Sequence, residues 1–150
     1  MGIEGLHHFL RRRHRVALDT SVFIYHSQDH PKYSPFTTPL FLWLQSRTGR
    51  AITSSVTLTE LLVQPIRMKD EKLVGEFFGV LTRYPNLEWV PVSIQIAALA
   101  ARYRADYGLR TPDALQGATC VYSQVPSLIT NDLAFKRIPE LTVLLLDDLL

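Results

Sequence analysis

Five short apolar runs alternate along the chain with longer stretches of helical periodicity, and that alternation restricts the fold more than any other feature. The runs are Val16 to Asp19, which ends in a carboxylate, Ala51 to Thr53, Leu87 to Val92, Ser127 to Thr130 and Leu141 to Leu146. Most place apolar residues at consecutive positions with at most one or two polar ones, as in strands buried on both faces. The expected fold is therefore α/β, a three-layer sandwich whose central, mainly parallel sheet is covered by helices on both sides.

Between the runs, Thr20 to Gln28, Pro39 to Arg47, Thr57 to Ile66, Glu71 to Arg83 and Ile94 to Tyr107 read as helices, and Leu133 to Ile138 as a short one. Ser93 is an expected N-cap and Gly108 an expected C-terminal cap. Thr111 is the expected cap of a further helix with Pro112 at its first position, and Gly49 the expected end of the Pro39 helix. With no repeat and no linker, residues 1–150 read as a single domain.

Cys120 is the lone cysteine, which excludes an intrachain disulfide and fits a reducing compartment. No apolar stretch is long enough to span a bilayer. A cytoplasmic protein without a membrane anchor is expected. The net charge of +2 is unevenly spread: residues 1–15 hold Arg11, Arg12, Arg13 and Arg15 against Glu4, or +3, which leaves −1 for the remainder. The basic N-terminal extension, residues 1–14, has two readings, contact with nucleic acid and an idle, poorly ordered tail.

Ligands of open parallel sheets bind outside the carboxyl ends of the strands, and four acids fall there. Asp19 ends the first strand, Asp132 lies two residues past Thr130, and Asp113 sits in the first turn of the Thr111 helix. Glu60 is on the helix after the Ala51 strand, and helical side chains lean back toward the N-terminus and the same rim. Each acid also has a purely structural explanation. Thr57-x-x-Glu60 matches a capping box, Asp132 an N-cap, and Asp113 a residue favoured by the helix dipole, with its carboxylate left free by the Thr111 cap. Asp19 resists such an explanation, because a charge ending a central strand needs a partner or a ligand.

Four gathered carboxylates repel one another unless a cation neutralises them. Oxygen-only donors suit a hard ion, Mg2+ or Mn2+, and such an ion with bound water suggests phosphodiester hydrolysis. His26 and His30, just after the first helix, read as exposed loop residues with no third metal ligand. Cys120 reads as a core residue, and Asp147-Asp148 as a solvated strand end.

The segments VALDTSVFI (16–24), Thr59-Glu60-Leu61-Leu62, LRTPDALQGAT (109–119) and LITND (128–132) resemble the PIN domain family, especially its VapC-type toxin ribonucleases. The resemblance implies a five-stranded sheet of order 3-2-1-4-5 and a Mg2+- or Mn2+-dependent endoribonuclease. Such an enzyme leaves 5′-phosphate and 3′-hydroxyl ends. It further implies Asp19 and Asp113 as principal metal ligands, Asp132 as another, and Glu60 as a ligand or an orienter of the nucleophile. Thr20, Ser21, Thr130 and Asn131 would hold water or phosphate. The implied partners are single-stranded or structured RNA, an antitoxin protein and a second copy of the chain in a homodimer.

Two other functions compete. One is a PIN-type RNA-processing nuclease outside any toxin-antitoxin pair. The other is a Mg2+-binding phosphoacceptor signalling domain, which needs a lysine at the end of a late strand; none of the four lysines is so placed. A haloacid-type phosphatase needs an acid two residues after Asp19, where this chain has Ser21.

Overall fold

The computed structural model covers all 150 residues. In chain order they form α1 (Gly2–Arg11), β1 (Val16–Leu18), α2 (Thr20–Ser27), α3 (Ser34–Leu44), β2 (Ala51–Ser54), α4 (Ser55–Arg67) and α5 (Glu71–Arg83). β3 (Leu87–Val90), α6 (Ile94–Tyr107), α7 (Thr111–Tyr122), β4 (Ser127–Thr130) and β5 (Thr142–Leu145) complete the set. Short 3-10 turns occupy Leu133–Arg137 and Leu146–Leu149. The strands pair in the order β3-β2-β1-β4-β5, all parallel, so the expected three-layer α/β sandwich and its 3-2-1-4-5 sheet are present.

Alternation along β1 splits the core in two. Val16 and Leu18 face a cluster built with Leu6, Phe9, Val22, Phe23, Leu40 and Phe41, from α1, α2 and α3. Ala17 faces the other way, into a cluster with Ile52, Leu128, Ile96, Tyr103 and Ala118 beneath α6 and α7. Both faces of the central strand are thus sealed, which explains why its sequence shows no polar position.

Several local expectations change. The basic extension is no loose tail: residues 2–11 are helical, and Leu6, Phe9 and Leu10 are buried against the sheet. Helix α3 starts at Ser34, so Pro39 lies inside it. Burial of Phe36, Leu40, Phe41 and Leu44 outweighs the proline penalty there. Gly49 does not cap that helix, which stops at Leu44; a Cβ at position 49 would lie 1.9 Å from the Trp43 carbonyl oxygen, so the chain there admits only glycine. Ser93 and Gly108 cap α6 as expected, Gly108 in the left-handed conformation at φ +67°. Helix α7 has Arg110, not Thr111, at its N-cap, and no side chain caps it. No helix is long and apolar enough to cross a membrane.

Candidate active site

Because every strand is parallel, all carboxyl ends point to one edge, and the sheet positions the acids there. Asp19 follows the last residue of β1 and precedes α2. Its backbone is in the N-cap position, yet its side chain makes no cap hydrogen bond. Instead Oδ2 accepts from Thr130 Oγ1 at 2.7 Å and Ser21 Oγ at 3.2 Å. The carboxyl group is 8% exposed, and burial pushes its pKa up to about 6, with the Glu60 charge adding to the rise. Hydrogen bonds from Thr130, the Thr20 N–H and Ser21 hold the rise in check.

Glu60 stands six residues into α4, whose N-cap is Ser54. The capping-box explanation therefore fails. Thr57 is buried with its hydroxyl 2.9 Å from Thr53 Oγ1 and 3.2 Å from Thr20 Oγ1. Glu60 Oε1 accepts from Thr20 Oγ1 at 2.8 Å, which ties α4 to α2 across the end of β1. Asp132 does act as an N-cap, accepting the Ala134 N–H at 2.9 Å through Oδ1. Asp113 is not free as expected: its Oδ2 accepts from Arg110 Nε at 3.1 Å. Burial raises its pKa, the Arg110 guanidinium opposes the rise, and the Asp132 charge adds to it.

Asp19 feels the Glu60 charge and Asp113 the Asp132 charge, so the acids at this rim lie within electrostatic reach of one another. Arg110 lies in the field of Asp113, Asp132 and Glu60 and supplies the cationic counter-charge. Each of the four carboxylates has at least one oxygen that no side chain engages. No three His, Cys, Asp or Glu side chains stand close enough to hold an ion by themselves. The chemistry of the donors, carboxylate oxygens with no His or Cys among them, suits Mg2+ or Mn2+, which take one or two carboxylates and keep water in their remaining positions.

Of the flanking polar residues, Thr20, Ser21 and Thr130 point hydroxyls at Asp19 or Glu60. Asn131 is engaged elsewhere: its Nδ2 donates to Tyr33 Oη at 2.9 Å and its Oδ1 accepts the Asp147 N–H at 2.9 Å. Asp147 is more than a solvated strand end, because Tyr33 Oη donates to it at 2.8 Å and Lys32 Nζ at 3.2 Å. These bonds hold its carboxyl below the usual range. His26 is in α2, not a loop, and its ring stacks on Phe41 with centroids 4.0 Å apart. His30 accepts the Lys32 N–H and packs beside Tyr25 and Tyr33. Cys120 is fully buried and its thiol is pushed up by burial, as a core residue's would be.

Sequence reasoning missed the layer beneath the rim. Gln116 Nε2 donates to the Leu18 carbonyl at 2.7 Å, and its Oε1 accepts the Ser54 N–H. Thr53 Oγ1 donates to the same carbonyl at 2.8 Å. These bonds lock the ends of β1 and β2 to α7. The available signal was position: Gln116 follows Asp113 by three residues and so shares its helix face.

A parallel five-stranded sandwich with acids at the ends of β1 and β4, and more acids on α4 and α7, defines a class of acid-rimmed α/β domains. The PIN domain family model matches residues 16–141, and the chain belongs to that family. Among curated proteins, "Ribonuclease VapC" of Rickettsia bellii (strain RML369-C) is 32% identical over 105 residues, 66% of this chain and 78% of that protein. Two solved structures share the fold. VapBC2 from Rickettsia felis, bound to a DNA fragment from their promoter, aligns with TM-score 0.68 at 21% identity over 87% of this chain and 97% of that one. VapBC-1 from nontypeable Haemophilus influenzae aligns with TM-score 0.68 at 18% identity over 89% and 98%.

Proposed function

We propose that this protein is a Mg2+- or Mn2+-dependent endoribonuclease acting as the toxin of a toxin-antitoxin pair. One observation carries the proposal: Asp19 is a buried carboxylate at the end of the central strand, held only by neutral donors and set beside a second acid. Such a group is costly to keep charged without a cation. A bound Mg2+ or Mn2+ supplies the positive charge that activates a water and stabilises the leaving oxygen.

Asp19 and Asp113 are the proposed principal metal ligands, with Asp132 as a further one. Thr130 and Ser21 fix the Asp19 carboxylate in one orientation. Glu60, oriented by Thr20 and exposed at the rim, is placed to hold the attacking water or accept its proton. Gln116 and Thr53 hold the strand end, so that the acid does not recoil from its neighbour's charge. Arg110 offsets the carboxylates before the cation arrives and can then turn to the phosphate it faces, since its side chain is largely exposed.

The VapC name of the similar curated protein supports the ribonuclease class. A small antitoxin protein masking the rim, a homodimeric state and a cytoplasmic location belong to the same proposal. The test is cleavage of single-stranded RNA by purified protein with Mg2+ or Mn2+, with the new ends mapped. Products with 5′-phosphate and 3′-hydroxyl ends, lost in chelator, are expected. Cleavage that persists in excess chelator overturns the metal mechanism.

A further inference from the structure

The opposite edge of the sheet is as basic as the rim is acidic. Arg15 enters β1 and Arg50 enters β2, so both lie at the amino ends of the strands. Arg11 and Arg13 from the end of α1, and Arg47 from the turn after α3, join them around a groove of about 800 Å³. No carboxylate lines it, and Trp43 forms part of its wall. A second groove of about 850 Å³ shares Arg11 and Arg13, adds Arg12, and contains a single acid, Glu4.

The way these arginines are held matters. Arg13 donates to Ser127 Oγ at 2.7 Å and to the Phe9 carbonyl at 2.6 Å, with its guanidinium 3.7 Å from the centre of the Phe9 ring. Arg50 donates to the Gly49 carbonyl at 2.7 Å. Carbonyls and rings fix position without cancelling charge. Glu88, 3.6 Å from Arg15, is the one carboxylate paired with any of the six, and both partners are well exposed. The side chains of Arg11, Arg12 and Arg47 are exposed and form neither ion pairs nor hydrogen bonds.

Six guanidinium groups gathered with only Glu88 paired to one of them and Glu4 nearby repel one another, and an anion of repeating charge relieves that repulsion. All six are arginines, and none of the four lysines takes part. Arginine matches phosphate with paired N–H donors and stacks on bases, where lysine offers only a point charge. Trp43, half-buried against the core, lines the same groove, and an aromatic ring beside a basic groove is the kind of surface on which unpaired bases stack. We infer that the two adjoining grooves, formed by Arg11, Arg12, Arg13, Arg47, Arg50 and Trp43, are a docking site for the phosphate backbone of single-stranded RNA, separate from the acidic rim. The inference takes its polymer class from the ribonuclease reading. RNA held here and cut at the rim must pass around the sheet, so this groove favours long substrates.

The experiment uses full-length protein carrying Asp19→Asn, in chelator, so that labelled single-stranded RNA stays intact during anisotropy titrations. Adding Arg11→Gln, Arg12→Gln and Arg47→Gln, three side chains with no contacts to lose, should weaken binding at least about tenfold near 50 mM salt. It should also lower the salt slope by about 2, since each lost phosphate contact removes roughly 0.7 on a single strand. RNA should quench Trp43 fluorescence, and Trp43→Phe should remove that signal while Trp89, hydrogen-bonded to the Leu81 carbonyl, stays silent. Unchanged affinity and slope in the triple variant overturn the inference. So does polyglutamate competing as well as RNA of equal charge, which would assign the groove to an acidic peptide. Cleavage by the unmutated, metal-loaded protein is scored separately. RNA bound through the groove but never cut leaves the docking site standing and removes the ribonuclease reading, whereas cutting with groove-independent binding does the reverse.

Discussion

β1 enters the sheet behind Arg15 and leaves it at Asp19, and the surroundings of those two residues are opposite in sign. At the amino edge, arginines are pinned by carbonyls and an aromatic ring that leave their charge intact. At the carboxyl edge, Asp19, Glu60 and Asp132 are pinned by hydroxyls and a backbone N–H that likewise leave their charge intact, and only Asp113 is paired, with Arg110. Three residues of strand rise only about 10 Å, so both charge sets lie within reach of one polymer. On the proposed reading, a polyanion is drawn to one edge and repelled by the other until a divalent cation reverses the sign there. The comparison teaches that opposite charge is gathered at the two ends of one short strand, which the proposed function divides into attraction and chemistry.

The largest effect should come from Asp19→Asn at the acidic edge. Loss of several kcal/mol of transition-state stabilisation lowers cleavage about a thousandfold in single-turnover assays, while circular dichroism shows an intact fold. Retained cleavage would break the assignment of chemistry to that edge. Next is Leu6→Ala under the basic edge, expected to cost about 2–5 kcal/mol in urea denaturation because Leu6 is wholly buried. A negligible cost would return the extension to an idle tail.

A third measurement uses pH. The Asp19 carboxyl in the metal-free fold titrates near 6, above its ordinary value, so the folded state holds a proton that the unfolded chain has already released. Its contribution is fully favourable below about pH 4 and is lost as pH rises through about 6, a change of up to about 3 kcal/mol. Urea denaturation in chelator should show this loss, and Asp19→Asn should abolish it. Adding Mn2+ at neutral pH should then restore about 2.7 kcal/mol at a hundredfold excess over its dissociation constant. The smallest effect is expected for Arg110→Gln. Removing an exposed cation from the acidic rim should tighten Mn2+ binding by no more than about fivefold.

Much of this division was legible before the fold was seen, and the failures are informative. Asp19 stands out because a charge ending a central strand has few bland explanations, and Asp113 because the expected Thr111 cap leaves its carboxylate without a structural task. Glu60 was ambiguous, since Thr57-x-x-Glu60 spells a capping box; only the observed start of α4 at Ser55 shows Thr57 turned inward and Glu60 joined to Thr20. No motif marks Arg110, because its partner is chosen by side-chain reach. In residues 1–14 the contiguous charges dominate the sequence, whereas Leu6, Phe9 and Leu10, which anchor α1, are visible only as a helical stripe.

By itself the sequence determined the strand and helix alternation, the parallel sheet and the edge at which the acids collect. Hydrophobic periodicity and strand direction are local properties, and they suffice for that much. The tertiary structure alone decided which oxygen of each acid is occupied, and that Arg47 and Arg50 would join the N-terminal arginines. It also decided that Gln116 and Thr53 would lock the strand end. Those outcomes depend on contacts between residues distant in the chain, and distances of that kind are set only when the two cores close on either side of β1.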